Sequence, residues 1–233
     1  MLSIENPPIE LSTTNDQVIS LTDKTRRFIE SDQATDLSDI YQDDCNIVVW
    51  KRELATELDR SVAEFLASNS SFQASMTLSP QNAFIPIHKA LGGAELTASL
   101  SSDIAELVDM FCCLFDLGKA GLRLTALDKA MCPRFHVDKV PCRLVTTYQG
   151  AATEWLPHNL VNRAKLGHGS EGKPDHQSGL FAGVNDIRQL GCADVALLKG
   201  ERWEGNEGAG LVHRSPVLLS GEKRLLLTLD VSD

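Results

Sequence analysis

Residues 132–142 read Cys132-Pro133-Arg134-Phe135-His136-Val137-Asp138-Lys139-Val140-Pro141-Cys142. On an extended strand, residues i and i+2 point to the same face. His136 and Asp138 therefore present an imidazole and a carboxylate to one point, with Val137 turned away. An HxD pair needs a third donor from elsewhere in the fold. His213 is the best candidate, because it closes a second β-prone run, Gly210-Leu211-Val212-His213. Cys132 and Cys142 flank the pair at spacings that bring thiols near the same ion, and thiolate donors favour zinc. They stand as alternative ligands.

Short β-prone runs spread outward from this stretch, at residues 122–127, 144–148, 195–198, 211–212 and 225–229, with Gly, Pro, Asn and Asp between them. Many strands without intervening helices favour a barrel or sandwich. The texture upstream is different. Leu54, Leu58, Val62, Phe65 and Leu66 recur at helical spacing and predict a helix over 53–67. Ile104, Leu107, Val108, Phe111 and Phe115 form a second stripe, predicting a helix over 102–117 capped by Ser101 or Ser102, with Cys112 and Cys113 inside it. A further helix is expected near 16–31. The chain thus divides into a polar extension (1–44), a mainly helical support region (45–120) and a β-barrel metal-binding region (121–233), the last two forming one unit. The fold class is α+β: a double-stranded β-helix, or cupin-like jelly roll, with the N-terminal helical half packed on its outer face.

Two histidines and one carboxylate occupy one face of an octahedron and leave three positions open, the facial triad of non-haem iron(II) oxygenases. The order of features after His136 and Asp138 is Arg143-Leu144-Val145-Thr146-Thr147-Tyr148, Thr153-Glu154-Trp155, a turn at Cys192-Ala193-Asp194, His213-Arg214-Ser215-Pro216-Val217, then Gly221-Glu222-Lys223-Arg224. This order resembles the prolyl-hydroxylase branch of the iron(II)/2-oxoglutarate oxygenases over roughly residues 134–228. The wording of residues 133–150, 153–156 and 213–216 is similar to a bacterial family known as domain of unknown function 1826. The first resemblance implies iron(II) and 2-oxoglutarate as cofactors and oxidation of an unknown substrate, as in a dioxygenase. It also implies a cation that binds the far carboxylate of the co-substrate. Lys223 and Arg224 compete for that place. Lys223 shares a strand face with Leu225, Leu227 and Leu229, so an apolar barrel interior would bring it inward, and a one-residue bulge would bring Arg224 inward instead. Tyr148 is a candidate donor to the same carboxylate. The runner-up is a non-catalytic, zinc-handling barrel that uses Cys132 or Cys142.

The net charge of −10 argues against a nucleic-acid backbone as partner. No run approaches the roughly 18 apolar residues of a membrane span, and residues 1–15 lack a basic start followed by an apolar run. The six cysteines form no CxxC pair, so reduced thiols and a cytoplasmic location are expected. The glycine-rich segment 167–179, with His168, Asp175 and His176, reads as a mobile surface loop, with a lid or a second, weak metal site as alternatives. Trp155 and Trp203 read as core or rim aromatics, and Asp194 as closing a turn.

Overall fold

The structure is a computed structural model that describes residues 25–232. Among the described residues ten strands make two sheets. They are β1 (Arg27–Ser31), β2 (Cys45–Trp50), β3 (Gln73–Leu78), β4 (Ala120–Leu127), β5 (Cys142–Gln149), β6 (Glu154–Leu156), β7 (Arg188–Gln189), β8 (Val195–Lys199), β9 (Val212–Arg214) and β10 (Arg224–Val231). The large sheet runs β1-β2-β8-β5-β10-β4-β3, and the small one β7-β6-β9. Pairing is antiparallel except between β1 and β2. The result is a mixed α/β fold. The expected helices appear as α1 (Thr56–Ser68) and α3 (Ala98–Phe115), and α2 (Phe84–Ala90) lies between them. A one-turn helix, α4 (Asp175–Ser178), sits in the long connection between β6 and β7.

The two faces of the large sheet do different work. On one face Leu122, Leu124, Leu144, Leu197, Leu225, Leu227 and Leu229 pack with Leu58, Val62, Phe65, Ile104, Val108 and Phe111 of the helices. The i, i+4, i+7 spacing in α1 and α3 gives each helix one apolar stripe for that surface. On the other face Ile47, Val49, Val145, Ala196 and Leu198 meet Trp155 and Leu211 from the small-sheet side. Trp155 is therefore a core residue, set edge-on to Phe28. Phe135, Leu156, Leu180 and Val212 form a third cluster beneath the long connection.

Several expectations need correction. Residues 27–31 form a strand, not a helix, because they find a parallel partner in β2, and residues 25 and 26 are not helical either; residues 16–24 of the expected helix lie outside the described residues. The mainly helical support region also carries two strands, β2 and β3, which extend the large sheet on either side. Helix α3 begins earlier than expected, with Thr97 at its N-cap, and Ser101 is buried inside it, donating to the Thr97 carbonyl. Among the described residues no helix is long and apolar enough to cross a membrane. All six cysteines are free, Cys112 buried and Cys113 exposed.

Candidate metal centre

His136 and His213 are a reciprocal backbone pair. Each amide donates to the other's carbonyl at 3.0 Å, an antiparallel bridge that adds the HxD segment to the edge of the small sheet beside β9. A directly opposed pair projects its side chains to the same face, and the two imidazole centroids lie 4.6 Å apart. Asp138, two residues on, reaches the same point. One donor atom from each of the three side chains fits within 4.8 Å of the others, and among the described residues no other group of three or more His, Cys, Asp or Glu does so. His168 and His176 therefore do not join a second cluster.

The tautomers follow from the neighbours. His136 Nδ1 lies 2.9 Å from the Arg134 carbonyl and His213 Nδ1 lies 3.2 Å from the Leu211 carbonyl. A carbonyl only accepts, so each Nδ1 carries its proton and each Nε2 keeps a lone pair. Those Nε2 atoms face the Asp138 carboxylate at 3.6 and 3.4 Å. Burial lowers the His136 pKa, with the His213 ring adding to it, which favours the neutral imidazole that a cation needs. Burial alone would raise the Asp138 carboxyl. His213, facing it at 3.4 Å, and the positive charge of Arg143 outweigh that, and its pKa falls to about 2.

Arg143 was not singled out by the sequence. Its Nη1 donates to Asp138 Oδ2 at 2.6 Å, while Nε and Nη2 hold both oxygens of Asp230 at 2.6 and 2.9 Å. This pins one Asp138 oxygen and leaves Oδ1 for an ion. The backbone is fixed as well: the Glu201 amide donates to the Asp138 carbonyl, and the Gly200 amide to Pro141. A Cβ on Gly200 would stand 2.1 Å from the Val140 carbonyl oxygen and 2.8 Å from that of Asp138, so only glycine permits this approach. Asp175 completes the support. Its buried carboxylate accepts from the Phe135 amide and pairs with Arg134 and Arg214, residues close in sequence to His136 and His213. The segment 167–179 is thereby pinned to the site by its one buried acid.

An open cavity lies beside the triad, lined by His136 and His213. Arg224 lines it and is 1% exposed. Its guanidinium donates to Thr147 Oγ1 at 3.1 Å and Thr153 Oγ1 at 2.7 Å, and no carboxylate pairs with it among the described residues. Lys223 points the other way, toward the end of α1. Lys223 and Arg224 do lie on opposite faces of β10, but the cavity is on the face away from the leucines, so Arg224 and not Lys223 points inward. The leucine face packs on the helices, and the cavity face carries Arg224, Leu226 and Thr228. No bulge in β10 is needed; the register skips Tyr148 on β5 instead.

Tyr148 is also on the helix face. Its hydroxyl donates to Asp103 Oδ2 at 2.5 Å, and Arg52 closes the same network, so it cannot serve a ligand in the cavity. Neither thiol joins the triad. Cys142 is fully buried on the helix face, where burial pushes its pKa far up. Cys132 lies on the cavity wall, its backbone tied to Ser215, outside the three-residue group. The zinc alternative has no thiolate to rest on. Asp194 does close a turn, accepting from the Gly191 amide at 2.6 Å.

Residues 31–230 match the family described as a protein of unknown function, DUF1826. No curated protein matches the chain. Among solved structures, it is similar to the rice dioxygenase for auxin oxidation (10% identity, 88% of this chain and 82% of that one, TM-score 0.48). It is also similar to the Arabidopsis thaliana dioxygenase for auxin oxidation 1, solved as a complex with 2-oxoglutarate (8%, 89% and 92%, TM-score 0.46). A Pseudomonas putida prolyl-4-hydroxylase is a third (12%, 84% and 96%, TM-score 0.44).

Proposed function

We propose, for a chain that belongs to the DUF1826 family of proteins of unknown function, an iron(II)- and 2-oxoglutarate-dependent oxygenase activity. One observation carries this reading. A two-histidine, one-carboxylate group and a buried arginine without a carboxylate partner line or border the same cavity. The donor set fits iron(II): two neutral imidazoles and one carboxylate on one side, with the other side open to the cavity.

The path of the chain supports a double-stranded β-helix. Counting the His136 segment as a strand, the order from β4 to β10 is large sheet, small, large, small, small, large, small, large. That is close to the alternation of an eight-stranded jelly roll, with the triad on its small-sheet side.

Each residue has a defined task. His136, Asp138 and His213 hold the metal through Nε2, Oδ1 and Nε2. Arg143 keeps the Asp138 carboxylate ionised and oriented. Arg224, held by Thr147 and Thr153, binds the far carboxylate of 2-oxoglutarate, whose burial is otherwise costly. The apolar walls at Val145 and Leu226 limit water around the bound molecules. With iron(II), 2-oxoglutarate and dioxygen bound, the centre supplies oxidation of a substrate coupled to conversion of 2-oxoglutarate to succinate and carbon dioxide.

Equilibrium dialysis against iron(II) under argon tests the metal assignment. The parent chain should retain one equivalent, and Asp138→Ala and His213→Ala should retain less than about a tenth of that at the same free metal. Parent-like retention in both variants would end the reading.

A further inference from the structure

The cavity carries one more cation than the metal site and the co-substrate use. Arg123, Arg143, Arg214 and Arg224 line it, and among the described residues no aspartate or glutamate does. Arg143 is matched by Asp138 and Asp230, and Arg214 by Glu154 and Asp175. Arg224 is the residue assigned above to 2-oxoglutarate. Arg123 is left over: exposed on β4, it pairs with no carboxylate among the described residues.

Two hydroxyls form a patch with it. Thr228 is the direct partner of Arg123 across β10 and β4, and Thr125 lies two residues along β4 on the same face. Thr125 and Thr228 are 7% and 8% exposed, both line the cavity, and neither hydroxyl finds a hydrogen-bond partner among the described residues. Buried hydroxyls that meet no protein group are suited to a ligand oxygen, and a guanidinium beside them to an anionic one.

The patch also has a definite relation to the triad. Thr228 faces Val145 on β5, two residues along each strand from the Asp230–Arg143 pair that holds Asp138. From Arg123 across β10 to β5 is two strand spacings, roughly 10 Å. Arg224 lies four residues along β10 from Thr228 and one strand from β4, which places the two arginines roughly 14 Å apart in backbone position. With backbones that far apart, each arginine can hold an anion of its own.

We propose that the primary substrate is a small organic acid whose anionic group binds Arg123 with Thr125 and Thr228, setting its carbon skeleton toward the triad. That this molecule is the one oxidised rests on the oxygenase reading; the anion site itself does not.

Saturation-transfer NMR on the full chain, with butanoate as probe and butanamide as neutral control, tests the site. Measurements are made with and without excess 2-oxoglutarate. Butanoate should bind saturably in both conditions, and at least about tenfold more tightly than butanamide. Arg123→Gln should weaken butanoate at least about tenfold and leave the melting temperature and the 2-oxoglutarate affinity unchanged. Thr125→Val with Thr228→Val should weaken it several-fold. The proposal is overturned if Arg123→Gln binds butanoate like the parent, if 2-oxoglutarate displaces butanoate completely, or if no saturable binding is seen. If butanoate binding depends on Arg123 while 2-oxoglutarate never binds, the anion site stands and the oxygenase reading falls.

Discussion

Replacing Arg224 with methionine should stabilise the metal-free protein while it removes co-substrate binding. Burial pushes this guanidinium down from its ordinary 12.5 to about 10, with no carboxylate to offset the lost hydration. A drop of that size corresponds to about 3 kcal/mol against the charged form. Methionine keeps much of the volume and removes the charge. The loss is two threonine hydroxyls, Thr147 and Thr153, each left without the donor that now bonds it, at about 1 kcal/mol apiece. The balance is about 1 kcal/mol in favour of the variant, or a melting temperature about 2–4 °C higher for a chain of this length. Binding of 2-oxoglutarate should move the other way, weakening by at least about 2 kcal/mol, roughly thirtyfold, because its far carboxylate loses its partner. Calorimetric melting of the metal-free protein and titration of the metal-loaded protein read the two effects separately. A variant that melts several degrees below the parent, or that keeps its 2-oxoglutarate affinity within threefold, would refute the assignment of Arg224.

Arg143→Met leaves Asp138 and Asp230 without their shared cation. It should cost about 3 kcal/mol in urea unfolding and weaken iron(II) binding roughly 10- to 100-fold. Lys223→Ala and Tyr148→Phe should both bind 2-oxoglutarate within about twofold of the parent by titration, although the tyrosine variant loses a buried bond to Asp103 worth about 2 kcal/mol in stability. Gly200→Ala drives a Cβ into the Val140 and Asp138 carbonyls. Overpacking of this kind costs about 3 kcal/mol, and the same variant should lose iron(II) affinity in dialysis although residue 200 carries no ligand.

The triad was legible because strand periodicity is a local property: the HxD spacing alone puts two donors on one face, and a β-prone run ending in His213 offers the third. The strands around it were legible for the same reason. What escaped was decided by tertiary packing. The alternation in β10 separates Arg224 from Lys223, but which face is interior depends on α1 and α3 covering the leucines. The cavity face is the more polar one, since it lines an open space rather than the packed core. Arg143 reads as an ordinary surface arginine until β10 places Asp230 opposite it. Residues 27–31 lack a clean pattern of their own and become a strand only by pairing with β2. Gly200 could have been found from the Lys199-Gly200 step at the end of an apolar strand, where a glycine often marks close backbone approach.

If iron(II) and 2-oxoglutarate meet at the triad, the visible spectrum of the anaerobic complex will show it. Iron(II) and 2-oxoglutarate are added to the full chain under argon, in parallel with Arg224→Met and His213→Ala. The parent should develop a weak metal-to-ligand absorption band that saturates at one equivalent of each. The band should need far more 2-oxoglutarate in Arg224→Met and be missing in His213→Ala. A parent chain that binds iron(II) at one equivalent and develops no such band at saturating 2-oxoglutarate would contradict their meeting at the triad.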